Sequence, residues 1–163
     1  MLESHFIVGM MPAMRFVQAA DAVAITGLTK SQLREWTGRG RRALISPDVE
    51  PKGPGRHALY AWQTLLVLRL LLVLHNEFRA EVGAWAPAVK GLRGSLDKVS
   101  FPSLWRSSVV FENRESALIV EEVREIRKAS IVIPLEPHLL VLSEKIEMPR
   151  SGQFQLFAPM VIS

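Results

Sequence analysis

The stretch Gly27-Leu28-Thr29-Lys30-Ser31-Gln32-Leu33-Arg34-Glu35-Trp36 decides how this chain is read. Thr29 carries a hydroxyl that can accept from a backbone N–H in the next turn. Gln32 stands three residues on, with a side chain long enough to reach back to the Thr29 N–H; this is the reciprocal pattern of a capping box. Leu28 and Leu33 flank it at the N′ and N4 positions of a hydrophobic staple, which fixes the angle at which the chain enters the helix. A helix starting at Lys30 is therefore predicted. A second helical pattern, Val17 to Ile25, comes just before and closes at Thr26-Gly27. Two short helices joined through a glycine predict a helix-turn-helix. Lys30, Ser31, Gln32 and Arg34 stand near the start of its second helix, and such side chains suit a DNA groove.

Charge points the same way. Between Lys30 and Arg56 seven basic residues (Lys30, Arg34, Arg39, Arg41, Arg42, Lys52, Arg56) stand against three acids (Glu35, Asp48, Glu50). The excess of four equals the net charge of the whole chain, +4. The basic surplus is thus local, as expected of a nucleic-acid binder whose affinity rests on phosphate contacts.

Beyond Trp36, Thr37-Gly38-Arg39-Gly40 reads as a helix stop. Ala43-Leu44-Ile45-Ser46-Pro47 is expected to begin a short strand. Glu50-Pro51-Lys52-Gly53-Pro54-Gly55-Arg56 is a turn by its proline and glycine content, and His57-Ala58-Leu59-Tyr60 returns as a second strand. A hairpin in this place is a wing, with Lys52 and Arg56 at its tip. From Ala61 or Trp62 a Leu-rich helix is expected to run to about Phe78, roughly 27 Å long. Its apolar run, Leu65 to Leu74, is half the roughly 20 residues that a membrane span needs and holds Arg69 in its middle. An all-round apolar helix of this length belongs in a core or between subunits.

The order of these elements resembles the winged helix-turn-helix of MerR-type transcriptional regulators. In that family a Leu-Arg pair followed by an aromatic residue closes the recognition helix, and a wing Arg and Tyr precede the next helix. Arg34, Trp36, Arg56 and Tyr60 occupy the matching places here. The resemblance implies DNA-backbone contacts from Arg34, Arg56 and Tyr60, with Lys30, Ser31 and Gln32 nearest the bases. It covers about Phe16 to Phe78, under half the chain. Two departures stand out. His57-Ala58-Leu59 separate the wing Arg and Tyr, which lie closer together in the family. No sustained heptad follows Phe78, where Pro87 is expected to end or kink any helix.

The C-terminal half is less explicit. Val89 to Val99 has helical spacing, Ser107 to Phe111 reads as a strand, and Ser130 to Pro134 as a short strand ended by proline. Ala117 to Ala129 carries both patterns, apolar and β-branched first, then charged and helical. Pro137 to Glu147 suits a helix with its proline in the first turn, and Gln153 to Phe157 suits a last strand. The fold class expected is α+β. An N-terminal arm (1–14) precedes a winged helix-turn-helix (15–80), and a small α+β module (81–163) follows for effector binding, dimerisation or partner contact.

Composition excludes several function classes. The chain has 163 residues, 48% hydrophobic and 22% charged, which fits a folded domain rather than extended disorder. It contains no cysteine, which removes disulfides, thiolate metal sites and thiol-based sensing and favours a reducing compartment. Residues 1–14 lack the basic-then-apolar pattern of a signal peptide. His5, His57, His75 and His138 have no metal-ligand spacing, Gly53-Pro54-Gly55 lacks the lysine of a phosphate loop, and no serine sits in a nucleophile elbow. Glu121, Glu122 and Glu125 alternate with Arg124, Arg127 and Lys128, as on a solvated helix face. Trp62, Trp85 and Trp105 read first as core anchors, although Trp85 and Trp105 could also line a small-molecule pocket.

These readings lead to a non-enzymatic DNA-binding transcriptional regulator without cofactor or metal. Its expected DNA-binding residues are Lys30, Ser31, Gln32, Arg34, Arg39, Arg41, Arg42, Lys52, Arg56, His57 and Tyr60. Expected partners are double-stranded DNA and a second copy of the chain, with a protein partner or small-molecule effector left to the C-terminal half, and no membrane. A cytoplasmic, nucleoid-associated protein encoded by a bacterium or phage is implied. Two other functions fit the same pattern: an antitoxin or phage or plasmid accessory interaction protein, and an excisionase-like factor that bends DNA.

Overall fold

The computed structural model describes residues 15–121 and 128–149. The arm expected at 1–14, the charged run at 122–127 and the strand expected at Gln153–Phe157 lie outside them. Helix α1 (Ala19–Thr26) and helix α2 (Lys30–Thr37) are joined through Gly27, whose φ of +81° is a left-handed conformation that glycine adopts freely. Its N–H donates to the Val23 carbonyl at 3.0 Å and closes α1. The capping box forms as read. The Gln32 N–H donates to Thr29 Oγ1 at 3.1 Å, and the Thr29 N–H donates to Gln32 Oε1 at 2.9 Å. Leu28 and Leu33 are both buried, so the staple is closed.

Two local expectations fail, and each failure has a non-local cause. Val17 does not start a helix. Strand β1 (Val17–Gln18) pairs antiparallel with strand β2 (Leu59–Tyr60), Val17 opposite Tyr60, and α1 begins two residues later. The expected hairpin from Ala43–Pro47 to His57–Tyr60 reduces to one bridge, Val49 to Leu59. Leu44 and Ile45 instead fold back over the end of α2. Both their N–H groups donate to the Trp36 carbonyl, at 2.7 and 3.1 Å, and both side chains are buried. Burying two large apolar side chains outweighs a short exposed ladder, because each is worth about 1.5–3 kcal/mol.

Helix α3 (Trp62–Asn76) is buried on nearly every side and packs against α1 and helices α4 (Ala86–Leu96) and α5 (Glu136–Lys145). Its all-round apolar character is thus explained within one chain. Arg69 in its middle donates to the Ile25 carbonyl at the end of α1 (2.6 Å) and to His138 Nδ1 on α5 (3.3 Å). Pro87 does not end a helix. It lies in the first turn of α4, where a missing N–H costs no hydrogen bond.

The remaining strands form an antiparallel sheet with β3 (Ser108–Phe111) between β4 (Ala117–Val120) and β5 (Ile131–Pro134). Val109 stands opposite both Ile119 and Ile133. The doubly patterned segment is therefore a strand at its apolar start, and Pro137 lies in the first turn of α5. One cluster of buried side chains runs from Ala22 on α1 through Leu66 on α3 to Leu92, Phe111 and Leu139, with no break near residue 80. The fold is α+β, with five α-helices and small antiparallel sheets among the described residues. Among them no helix is long and apolar enough to cross a membrane.

Candidate nucleic-acid interface

Helix α2 turns Leu33, Trp36 and Thr37 inward and leaves Lys30, Ser31, Arg34 and Glu35 exposed. Its end is fixed from two sides. The Thr37 hydroxyl donates to the Leu33 carbonyl (2.7 Å), so the Tyr60 hydroxyl, 3.1 Å away, is the donor to Thr37. Gly38 follows in extended conformation, and a Cβ there would lie 2.5 Å from the Arg34 carbonyl oxygen. Glycine is required at this point because the chain leaves the helix against its own backbone.

The exposed face of α2 lies between two clefts. One, of about 630 Å³, opens between α1, α2 and the 47–58 loop and gathers Lys30, Arg34 and Arg39. The other, of about 720 Å³, lies on the opposite flank and gathers Gln32, Glu35, Arg41, Arg42, His75 and Arg79. Lys52, Arg56 and His57 line neither of these clefts and gather, with Asp48 and Glu50, around a third of about 870 Å³. The expected residues thus divide into three basic groups, two of them flanking α2.

Two of the arginines are already paired. Arg39 meets Glu50 at 3.2 Å and Arg42 meets Glu35 at 2.9 Å; the arginines are largely exposed and the two acids about half exposed. Such pairs contribute about 0–1 kcal/mol and exchange readily for another anion. Gln32 is less available than its spacing suggested, because its carbonyl oxygen is held in the capping box. Tyr60 is the main correction. It is only 3% exposed and its hydroxyl is turned inward onto Thr37, so it braces α2 rather than presenting a surface contact.

Sequence reading missed three contributors. Arg79 joins the second cleft from the turn after α3, in a left-handed conformation (φ +52°) uncommon for a residue with a side chain. Glu35 places an acid on the exposed face of a basic helix. Asp48 anchors the base of the loop: it accepts from the Ala61 N–H at 2.6 Å and from Arg93 Nη2 at 2.6 Å. Arg93, on α4, also donates to Thr64 Oγ1 (2.9 Å) and Asp97 Oδ1 (2.5 Å). Burial pulls the Arg93 pKa down, but the bonds to Asp97 and Asp48 outweigh it and hold it above its usual value. Asp48 and Arg93 lie 45 positions apart, and nothing local in the sequence connects them.

No protein-family model matches this chain. A search of curated proteins likewise finds no match. Among the described residues no group of three His, Asp or Glu side chains is placed to hold a metal ion. Trp62, Trp85 and Trp105 stack edge-on against Phe101 and Phe111, with ring centroids 5.3 to 6.2 Å apart, and none of them lines either cleft beside α2.

Proposed function

We propose that this chain is a sequence-specific DNA-binding transcriptional regulator whose residues 17–60 work as a winged helix-turn-helix. One observation carries the reading: a capped helix with an exposed polar face lies between two clefts edged with lysine and arginine. A B-form major groove is about 12 Å wide and is bounded by a phosphate backbone on each side. A helix inserted there needs polar side chains at its apex and cations on both flanks.

In this reading Lys30, Ser31 and Glu35 face base edges. Arg34 and Arg39 take phosphates on one flank, and Arg41, Arg42 and Arg79 take them on the other. The 47–58 loop is the wing and brings Lys52, Arg56 and His57 to the neighbouring backbone. Tyr60 and Gly38 set the direction of α2, and Asp48 holds the wing to α3 and α4. The protein acts in the cytoplasm as a homodimer, which a two-fold symmetric target site would reveal.

The test is a gel-shift salt titration on a DNA site selected from a random pool. Arg34→Ala and Arg56→Ala should each weaken binding and reduce the slope of log K against log salt by about one. Unchanged binding in both variants refutes the proposal. Capture of one stable protein partner in the absence of any DNA binding would favour the interaction-protein function instead.

A further inference from the structure

We propose that the cleft between α1, α2 and the 47–58 loop is also a small-molecule site, for an amphipathic monoanion with an apolar tail. Its volume of about 630 Å³ falls within the range that small ligands fill. The floor is apolar: Ala20, Val23, Leu33 and the ring of Tyr60 line it. The opposite cleft also has apolar lining, including Trp36, Leu44 and Val82, but two acids, Glu35 and Glu81, stand among its arginines. At the rim stand Lys30 and Arg34, both exposed and neither within salt-bridge distance of a carboxylate among the described residues. The one acid in the lining, Glu50, is neutralised by Arg39 at 3.2 Å.

An apolar floor beneath two uncompensated cations selects a ligand of matching polarity. A neutral apolar molecule leaves the cations unused, and a cationic one is repelled. The anionic head would meet Lys30 and Arg34, and the tail would lie over Val23 and Leu33. Because Lys30 and Arg34 are also assigned to DNA, an occupied cleft should exclude DNA. That competition rests on the DNA-binding reading; the site itself does not.

The test is calorimetric titration of the full chain with decanoate and, separately, with decyltrimethylammonium, which has the same tail and the opposite charge. One decanoate should bind per chain, about tenfold more tightly than the cation. The double variant Lys30→Ala, Arg34→Ala changes only exposed positions and should bring the two amphiphiles to parity. Ala20→Trp fills the cleft from an exposed position on α1 and should abolish decanoate binding, with circular dichroism confirming the fold. Equal affinity of the wild type for both amphiphiles, or undiminished decanoate binding by Ala20→Trp, overturns the site. In a second arm, decanoate should displace a selected DNA duplex, and simultaneous binding overturns the competition. If the chain binds no DNA at all, the DNA-binding reading falls while the titration still decides the site.

Discussion

Replacing Arg93 with Met tests how the base of the 47–58 loop is held. The Arg93 side chain is 19% exposed and Asp48 is 11% exposed, so their 2.6 Å contact lies largely away from water. Removing one partner of a buried pair costs about 3–5 kcal/mol, because the other charge is stranded. Two features place this case at the low end. Asp48 keeps the Ala61 N–H as a donor, and Asp97 is 56% exposed, so its bond to Arg93 adds only a few tenths. The expected loss is about 3 kcal/mol, which lowers the melting temperature by about 9 °C in a chain of this size. Asp48→Asn should cost about 2 kcal/mol, since it keeps an acceptor for Ala61 and loses the charge. The double variant should cost less than the sum, with a coupling of about 2 kcal/mol. Urea unfolding of the four proteins measures this directly. An Arg93→Met variant within 0.5 kcal/mol of wild type, or strict additivity in the double variant, would refute the assignment of Asp48 as an anchor.

Other outcomes follow from the same contacts. Tyr60→Phe removes the donor to Thr37 and should cost about 1 kcal/mol while leaving the salt dependence of DNA binding unchanged; a drop in slope by one would return Tyr60 to the phosphate backbone. His138 is held neutral, first by burial and then by the Arg69 charge, which lowers its pKa from 6.5 to about 4. Its contribution is therefore complete above pH 6.5 and lost as pH falls toward 4. After discounting for partial exposure it amounts to about 2 kcal/mol, and His138→Gln, which keeps an acceptor for Arg69, should flatten stability across that window. A carboxylate at the apex of α2 suits the amino group of a cytosine, so Glu35→Gln should change the preference at one base pair in site selection while overall affinity holds. Identical selected sites would remove Glu35 from base reading.

The parts of the fold that the sequence discloses are those written in neighbouring residues. The Thr29–Gln32 box, the Leu28–Leu33 staple, the Gly27 turn and the proline in the first turn of α5 each need only a few consecutive positions. Helix α3 is legible because its apolar residues continue through every turn. What escapes is set by distant partners. Val17 becomes a strand because Tyr60 lies beside it, and Leu44 and Ile45 leave the hairpin because the end of α2 offers them burial. Pro87 starts a helix rather than ending one, a distinction that depends on where the preceding chain turns. At the candidate site, the basic residues were evident from charge alone, but their division around α2 was not. Tyr60 sat in the place of a surface contact and is buried, while Arg79 and Arg93 enter from elements outside the basic stretch.

Helix α2 and its two flanks are proposed to bind DNA in a sequence-dependent way. Site selection from random DNA with the full chain, followed by a salt titration of the enriched site, tests it most directly. One enriched, two-fold symmetric motif is expected, bound with a steep salt dependence that Arg34→Ala and Arg56→Ala each reduce by about one in slope. A pool that shows no enrichment, with binding equally weak for every sequence and indifferent to both substitutions, would contradict it.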